Sequence, residues 1–504
     1  MFTPPTRRCV MFSWLVALMM TGCESFNGGM WGVKTRQPAS LTLNSGWQLQ
    51  DIAQVPQGGA FISTPGYLPS SNWQAATVPG TVLTSLVNDG VYPEPLYGEN
   101  NRPDKIPESL CRTSYWYRTQ FTVAKEYTGK HVWLNFDGIN YMADIWVNGR
   151  QVGEIRGAFA RGIFDVTALV QPGETAAVAV LIKPPLNPAD PIEQTVQLGL
   201  GPNGGILSHD GPTFICTQGW DWIPGIRDRD MGIWQKVTIS ATGPVVLKDP
   251  YVVTHLPLPR TDSADVSIEA TVQNVGDSVQ SGVVGGTFGN IGFHSSSITL
   301  QPGESRVVKF TPQSNWQLHI WNPKLWWPNG FGEQHLYPVQ LSFIMSGSVS
   351  DSKTLNAGIR EITYSVPTSD NLTLVVNGVP VFAKGGDWGM DEAMKRIPRE
   401  RLEAQIRFHK EANYTIIRNW VGQSTSEDFY DLCDRYGIMI WDEFFQPNPS
   451  DSGRSRGSNG RPATPSSLKS PLTLPRLRSG LVPRRASNRH VMSWTSSPKS
   501  AKTS

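Results

Sequence analysis

Cysteine is scarce. Only Cys9, Cys23, Cys111, Cys216 and Cys433 occur in 504 residues, and their spacing forms neither a zinc-binding nor a redox motif. Charge is also sparse, at 17% of residues, and the formal net charge is only +2. That small number hides an asymmetry: residues 451–504 hold 11 Lys and Arg against the single acid Asp451, which leaves 33 basic and 41 acidic residues in the body. An acidic body, near −8, does not ask for a nucleic-acid partner. Glutamate is missing altogether after Glu443, and aspartate after Asp451.

The apolar run Val10–Met20 is too short to cross a bilayer as a stable helix. It follows Arg7 and Arg8 and ends in Met20-Thr21-Gly22-Cys23, so residues 1–23 read as an export signal of the lipoprotein type. Small residues before a cysteine resemble a bacterial lipobox, in which Cys23 carries the lipid and becomes the mature N-terminus. An ordinary secretory signal with a chance cysteine is the plainer alternative. The expected location is therefore the periplasm or outer membrane of a bacterium, with the membrane reached through a lipid anchor at Cys23. In that compartment Cys111 and Cys216 form one disulfide, or Cys111, Cys216 and Cys433 stay as separate buried thiols.

What the chain has in quantity is tryptophan, glycine and proline, with 18, 48 and 39 residues. Such a composition fits many short strands joined by turns, and aromatic platforms suited to sugar rings. Short alternating runs at Ser114–Val123, Val132–Phe136 and Ala143–Val147, the last followed by Asn148-Gly149, predict an all-β domain over about 40–245. Runs at Ala264–Val272, Ser305–Phe310 and Leu336–Ile344 predict a second β-domain over about 246–365, of immunoglobulin-like sandwich length. Neither stretch shows a helical period.

After Asn377-Gly378 the pattern changes. A strand is expected at Val381–Ala383, a helix at Arg399–Ala412 behind Pro398, and a strand at Thr415–Ile417. A second helix capped by Ser426 follows, with Phe429, Leu432, Cys433 and Tyr436 on one face, and then a strand at Ile438–Trp441. Strand, helix, strand, helix, strand points to a parallel sheet and to the start of a (β/α)-barrel over 366–450. From Asp451 onward neither period persists, so residues 451–504 read as an aberrant tail, either a disordered basic segment or an out-of-frame translation.

Three stretches carry a family resemblance. Trp220-Asp221-Trp222-Ile223-Pro224 runs into Arg227-Asp228-Arg229-Asp230-Met231-Gly232-Ile233-Trp234. Leu325-Trp326-Trp327-Pro328-Asn329-Gly330 precedes Leu336-Tyr337. Lys384-Gly385-Gly386-Asp387-Trp388 joins Ile417-Arg418-Asn419-Trp420, then Phe429 to Gly437, and ends in Trp441-Asp442-Glu443-Phe444. Together they resemble glycoside hydrolase family 2, in the branch of β-mannosidases, exo-β-D-glucosaminidases and plant endo-β-mannosidases.

The resemblance implies a multidomain fold of a galactose-binding-like β jelly-roll, an immunoglobulin-like β-sandwich and a (β/α)8 TIM barrel, the last incomplete in this sequence. It implies a retaining β-glycosidase acting on a β-linked oligosaccharide or glycan; no cofactor and no metal-ligating residue is assigned. By the same resemblance the terminal sugar is held by Asp221 and Trp222 of the jelly-roll and by Asp387, Trp388, Arg418, Asn419, Trp420 and Glu443 at barrel-strand ends. The bland alternatives are a turn cap for Asp221 and a barrel-end ion pair with packing for Arg418 and Trp420; His409 reads as an outer-helix side chain.

The family's two catalytic glutamates lie on later barrel strands, and no glutamate follows Glu443 to fill either place. Asp442 and Glu443 do not substitute, because neighbours on an extended segment point to opposite sides. The expectation is an enzyme by family whose 504-residue chain is truncated and inactive. A carbohydrate-binding surface lipoprotein without catalysis is the alternative.

Overall fold

The computed structural model describes residues 39–186, 188, 190–191, 205–206, 225–365, 372–389, 391–420 and 426–442. The chain is rich in β-structure and organised as several packed sheet units. In the first unit, six strands pair antiparallel in the spatial order 74–75, 48–51, 115–122, 175–183, 142–147, 150–156, and four more in the order 41–42, 237–242, 131–136, 162–165. Alternation builds this sandwich: in His131–Phe136 and Met142–Val147 every second side chain is buried. Leu134, Phe136, Ile145, Val178, Val180 and Ile239 belong to one continuous core. Asn148 and Gly149 turn the chain with φ of 46° and 86°, as the hairpin signal predicts.

A helix at Val82–Asn88 interrupts this unit, contrary to the expectation that no helix does. Its first five residues are buried, Thr84 and Ser85 among them, and seven residues are too few to show a sustained helical period in the sequence. Its start is chemically marked all the same. The Thr81 hydroxyl accepts from the amide of Thr84 at 3.1 Å, and the Asp228 carboxylate accepts from the amide of Leu83 at 2.6 Å.

The second unit packs the sheet 245–255, 263–274, 305–310 with 319–321 against the sheet 291–294, 280–288, 337–345, 348–357, to which 298–300 is added. Val266, Ile268, Phe288, Phe310 and Phe343 meet between the two sheets.

Next come three short antiparallel strands, 362–365, 373–376 and 379–381, and then three parallel strands, Gly385–Trp388, Ile416–Asn419 and Met439–Asp442. The helices Arg399–Glu411 and Glu427–Tyr436 occupy the two connections. The first parallel strand thus starts at Gly385, four positions beyond the expected start at Val381 and just past the apolar run. Val381 pairs instead with Leu374 in the antiparallel hairpin. Glycine is required at 385 in this strand, because a Cβ there would stand 1.9 Å from the carbonyl oxygen of Ile416. Ser426 caps the second helix by accepting from the amide of Phe429 at 3.2 Å, and Gly437 closes it with φ of 78°.

Candidate functional site

The carboxyl ends of the parallel strands are where ligands of such sheets gather. In register, Asp387, Arg418 and Trp441 stand side by side, and one step on Trp388, Asn419 and Asp442 do the same. Successive residues of a strand point to opposite faces, so these two rows face opposite ways. The first row is on the open side. Arg418 Nη1 lies 3.2 Å from Asp387 Oδ1, its guanidinium sits 5.9 Å over the Trp441 ring, and both charged side chains reach solvent. A guanidinium, a carboxylate and an indole face together match the hydroxyls and the C–H face of a pyranose.

The second row is turned toward the helices. Trp388 is buried between Phe429 and His409, with ring centroids 5.3 and 5.5 Å away, and its indole N–H donates to Asp391 Oδ1 at 2.7 Å. Asn419, fully buried, donates to Asp442 Oδ1 at 2.7 Å, and the Tyr430 hydroxyl donates to Asp442 Oδ2 at 2.9 Å. Of the residues expected around one sugar, the structure therefore brings Asp387 and Arg418 together on the open face and packs Trp388 and Asn419 on the other. Trp420 is half-buried just beyond its strand. His409 is a packed side chain whose Nδ1 lies 2.8 Å from the Gln405 carbonyl oxygen. Asp221, Trp222, Glu443 and Cys23 lie outside the described residues, as does Cys216; Cys111 and Cys433 are buried thiols.

The two tryptophan-rich motifs act as joints. Arg229 and Asp230 adopt left-handed backbone, φ 54° and 55°, with both carbonyls accepting from the Asn140 amide at 3.0 Å. The Arg229 guanidinium, without exposed surface, reaches the carbonyls of Pro188 and Ile226 and pairs with Glu108, which also takes Arg227 at 2.9 Å. In the second motif, Trp326 Nε1 donates to the carbonyl of Asp434 at 2.7 Å, and Asn329 donates to the carbonyls of Lys410 and Tyr414 at 2.9 and 3.0 Å. The β-sandwich thereby grips both helices of the parallel segment.

A further buried network is not legible as a motif. Lys395 Nζ lies 3.1 Å from Asp391 Oδ2, with neither side chain more than 2% exposed, and sits 5.2 Å over the ring of Trp234. Arg396 bridges Glu392 at 2.7 Å and Glu94 at 2.6 Å, which holds the Glu94 carboxyl below its ordinary range. Burial raises the carboxyl of Asp230 well above the ordinary range, the neighbouring Asp228 charge adds to that, and Lys395 opposes it. Acids at 391 and 392 with bases four residues later are the one sequence signal for this loop. Among the described residues no group of three or more His, Cys, Asp or Glu is placed to hold a metal ion, and no helix is long and apolar enough to cross a membrane.

Comparison with known proteins adds the following. Residues 47–235 match the family described as glycosyl hydrolase 2 galactose-binding domain-like, and residues 245–360 match glycosyl hydrolases family 2. The chain is 33% identical over 440 residues to an exo-β-D-glucosaminidase of Streptomyces avermitilis, covering 84% of this chain and 44% of that protein. It is 32% identical over 429 residues to the mannosylglycoprotein endo-β-mannosidase of Lilium longiflorum, covering 80% of this chain and 43% of that protein. The crystal structure of the exo-chitosanase of Amycolatopsis orientalis is similar with a TM-score of 0.66 at 25% identity, over 80% of this chain and 43% of that one. The chain spans less than half the length of these relatives.

Proposed function

We propose that this chain, which belongs to glycosyl hydrolase family 2, forms the glycan-holding front of a retaining β-glycosidase of β-mannosidase or exo-β-glucosaminidase type. The observation that carries the reading is the open-face row of Asp387, Arg418 and Trp441 at the carboxyl ends of the parallel strands. Those strands are the first three of a (β/α)-barrel on this reading. The barrel follows a jelly-roll over about 40–245 and a sandwich over about 246–365. Asp387 and Arg418 bind hydroxyls of the terminal sugar, Asp221, Trp222, Trp420 and Glu443 complete its enclosure, and Trp388 and Asn419 hold the strand ends in place.

Retaining hydrolysis needs two carboxyl groups about 5–5.5 Å apart across the glycosidic bond. Residues 444–504 contain no glutamate, and the Asp442 carboxyl is committed to Asn419 and Tyr430, so these 504 residues bind a glycan and do not cleave it. Export and lipid attachment at Cys23 follow from Met20-Thr21-Gly22-Cys23, and labelling with a radioactive fatty acid that persists in Cys23→Ser excludes the anchor.

Two measurements test the core of this reading. The purified chain is expected to release no product from aryl β-mannosides or aryl β-glucosaminides, and enzymatic turnover of either overturns the assigned inactivity. Calorimetric titration with an iminosugar of matching configuration is expected to show binding that Arg418→Ala weakens at least tenfold. Equal affinity in that variant overturns the assigned site.

A further inference from the structure

Two tryptophans of the second sandwich stand in solvent: Trp316, in the turn before the edge strand, is 77% exposed, and Trp321, on the outer face of that strand, 69%. An exposed indole offers a flat apolar face with a polar edge, a shape on which a sugar ring stacks. Trp321 lies on the edge strand His319–Trp321, which pairs with Ser263, Ala264 and Asp265 of the central strand. Asp265 is in turn opposite His255. His319, Asp265 and His255 therefore form one row across three strands, roughly 10 Å wide at a spacing of about 4.8 Å.

The row is held in place. His319 Nδ1 lies 2.6 Å from Asp265 Oδ1, the His319 ring stands edge-on to Trp321 with centroids 4.7 Å apart, and His255 Nδ1 lies 3.0 Å from Glu361 Oε2. Glu361 Oε2 also accepts from the amide of Leu256 at 2.9 Å.

We propose that this face, with Trp321 as a stacking platform beside Asp265, His319, His255 and Glu361, is a second glycan site that takes a β-linked amino-sugar polymer. A flat aromatic on a flat sheet matches the C–H face of a pyranose in an extended chain. The row holds the Asp265 carboxylate, with that of Glu361 against its His255 end, and no lysine or arginine; Lys309, farther along the face, stands opposite Glu269. The electrostatic complement of the row is thus an ammonium-bearing chain and not a polyuronate. A glycan as occupant rests on the reading above, but the site does not share residues with the ends of the parallel strands.

Retention of the 504-residue chain on chitosan beads, cellulose and polygalacturonate gel tests this. The parent is expected to bind chitosan, with about tenfold weaker retention in Trp321→Ala, a smaller loss in Asp265→Asn and no retention on polygalacturonate. Trp321→Ala keeps the charge, so undiminished retention in that variant means the acidic body is merely attracted to a polycation, and the proposal fails. Failure of the parent to bind, or equal retention on cellulose, also overturns it. Arg418→Ala separates the two readings: loss of retention there but not in Trp321→Ala places binding at the strand ends and removes this face. An unchanged melting temperature confirms that exposed Trp321 is replaced without unfolding.

Discussion

Replacing Lys395 by Met is expected to be among the most damaging single changes in the described part of the chain. The ammonium, which stands over Trp234 and acts on Asp230, has no exposed surface and its partner Asp391 only 2%, so the variant leaves the Asp391 carboxylate in the interior without that charge. Removing one member of a buried ion pair costs roughly 3–5 kcal/mol, a large part of the total 5–15 kcal/mol of a typical domain. Asp391 keeps the Trp388 N–H at 2.7 Å, which places the expected loss near the lower figure, about 3 kcal/mol. Guanidinium unfolding followed by tryptophan fluorescence measures it, and limited proteolysis locates it at residues 385–442. The double variant Lys395→Met with Asp391→Asn removes both charges while the amide oxygen still accepts from Trp388. It is expected to recover at least half of the loss. A single variant within about 1 kcal/mol of the parent, or a double variant less stable than the single, refutes the assignment of Lys395 as the compensating charge.

Further outcomes follow from the same structure. Both oxygens of Asp230 are buried without a hydrogen-bond partner, and burial raises its folded-state pKa. A raised carboxyl pKa binds more protons in the folded than in the unfolded state, so its penalty grows as pH rises above the ordinary aspartate value. Asp230→Asn is therefore expected to be more stable than the parent at pH 7 and to lose that advantage near pH 4, by melting temperature across pH. Ser426→Ala removes the cap on the Phe429 amide and is expected to cost about 1 kcal/mol in chemical denaturation. Gly385→Ala drives a methyl into the Ile416 carbonyl and is expected to expose the parallel segment to protease, unlike Gly386→Ala, where a Cβ meets nothing within 4 Å.

Sequence by itself determined the family and the alternation of elements, because both are written in local patterns. Period-two burial marks Val132–Phe136 and Ala143–Val147, and the Ser426 cap, its first-turn acids and Gly437 bound a helix without help from distant residues. Two short pieces left no such record. The Val82–Asn88 helix has only seven residues, the first five of them buried, and the Gly385–Trp388 strand opens on a glycine that the approach of the Ile416 backbone requires.

Tertiary structure alone decided which chemistry-bearing residues share a face. Asp387 and Trp388 are adjacent in sequence yet separated by the sheet, one with Arg418 in the open and the other packed beneath Phe429. The Lys395–Asp391 pair joins Trp388 to Trp234 across more than 150 positions of chain. Charge burial and strand register are set by what a residue is packed against, and a linear pattern carries no measure of that.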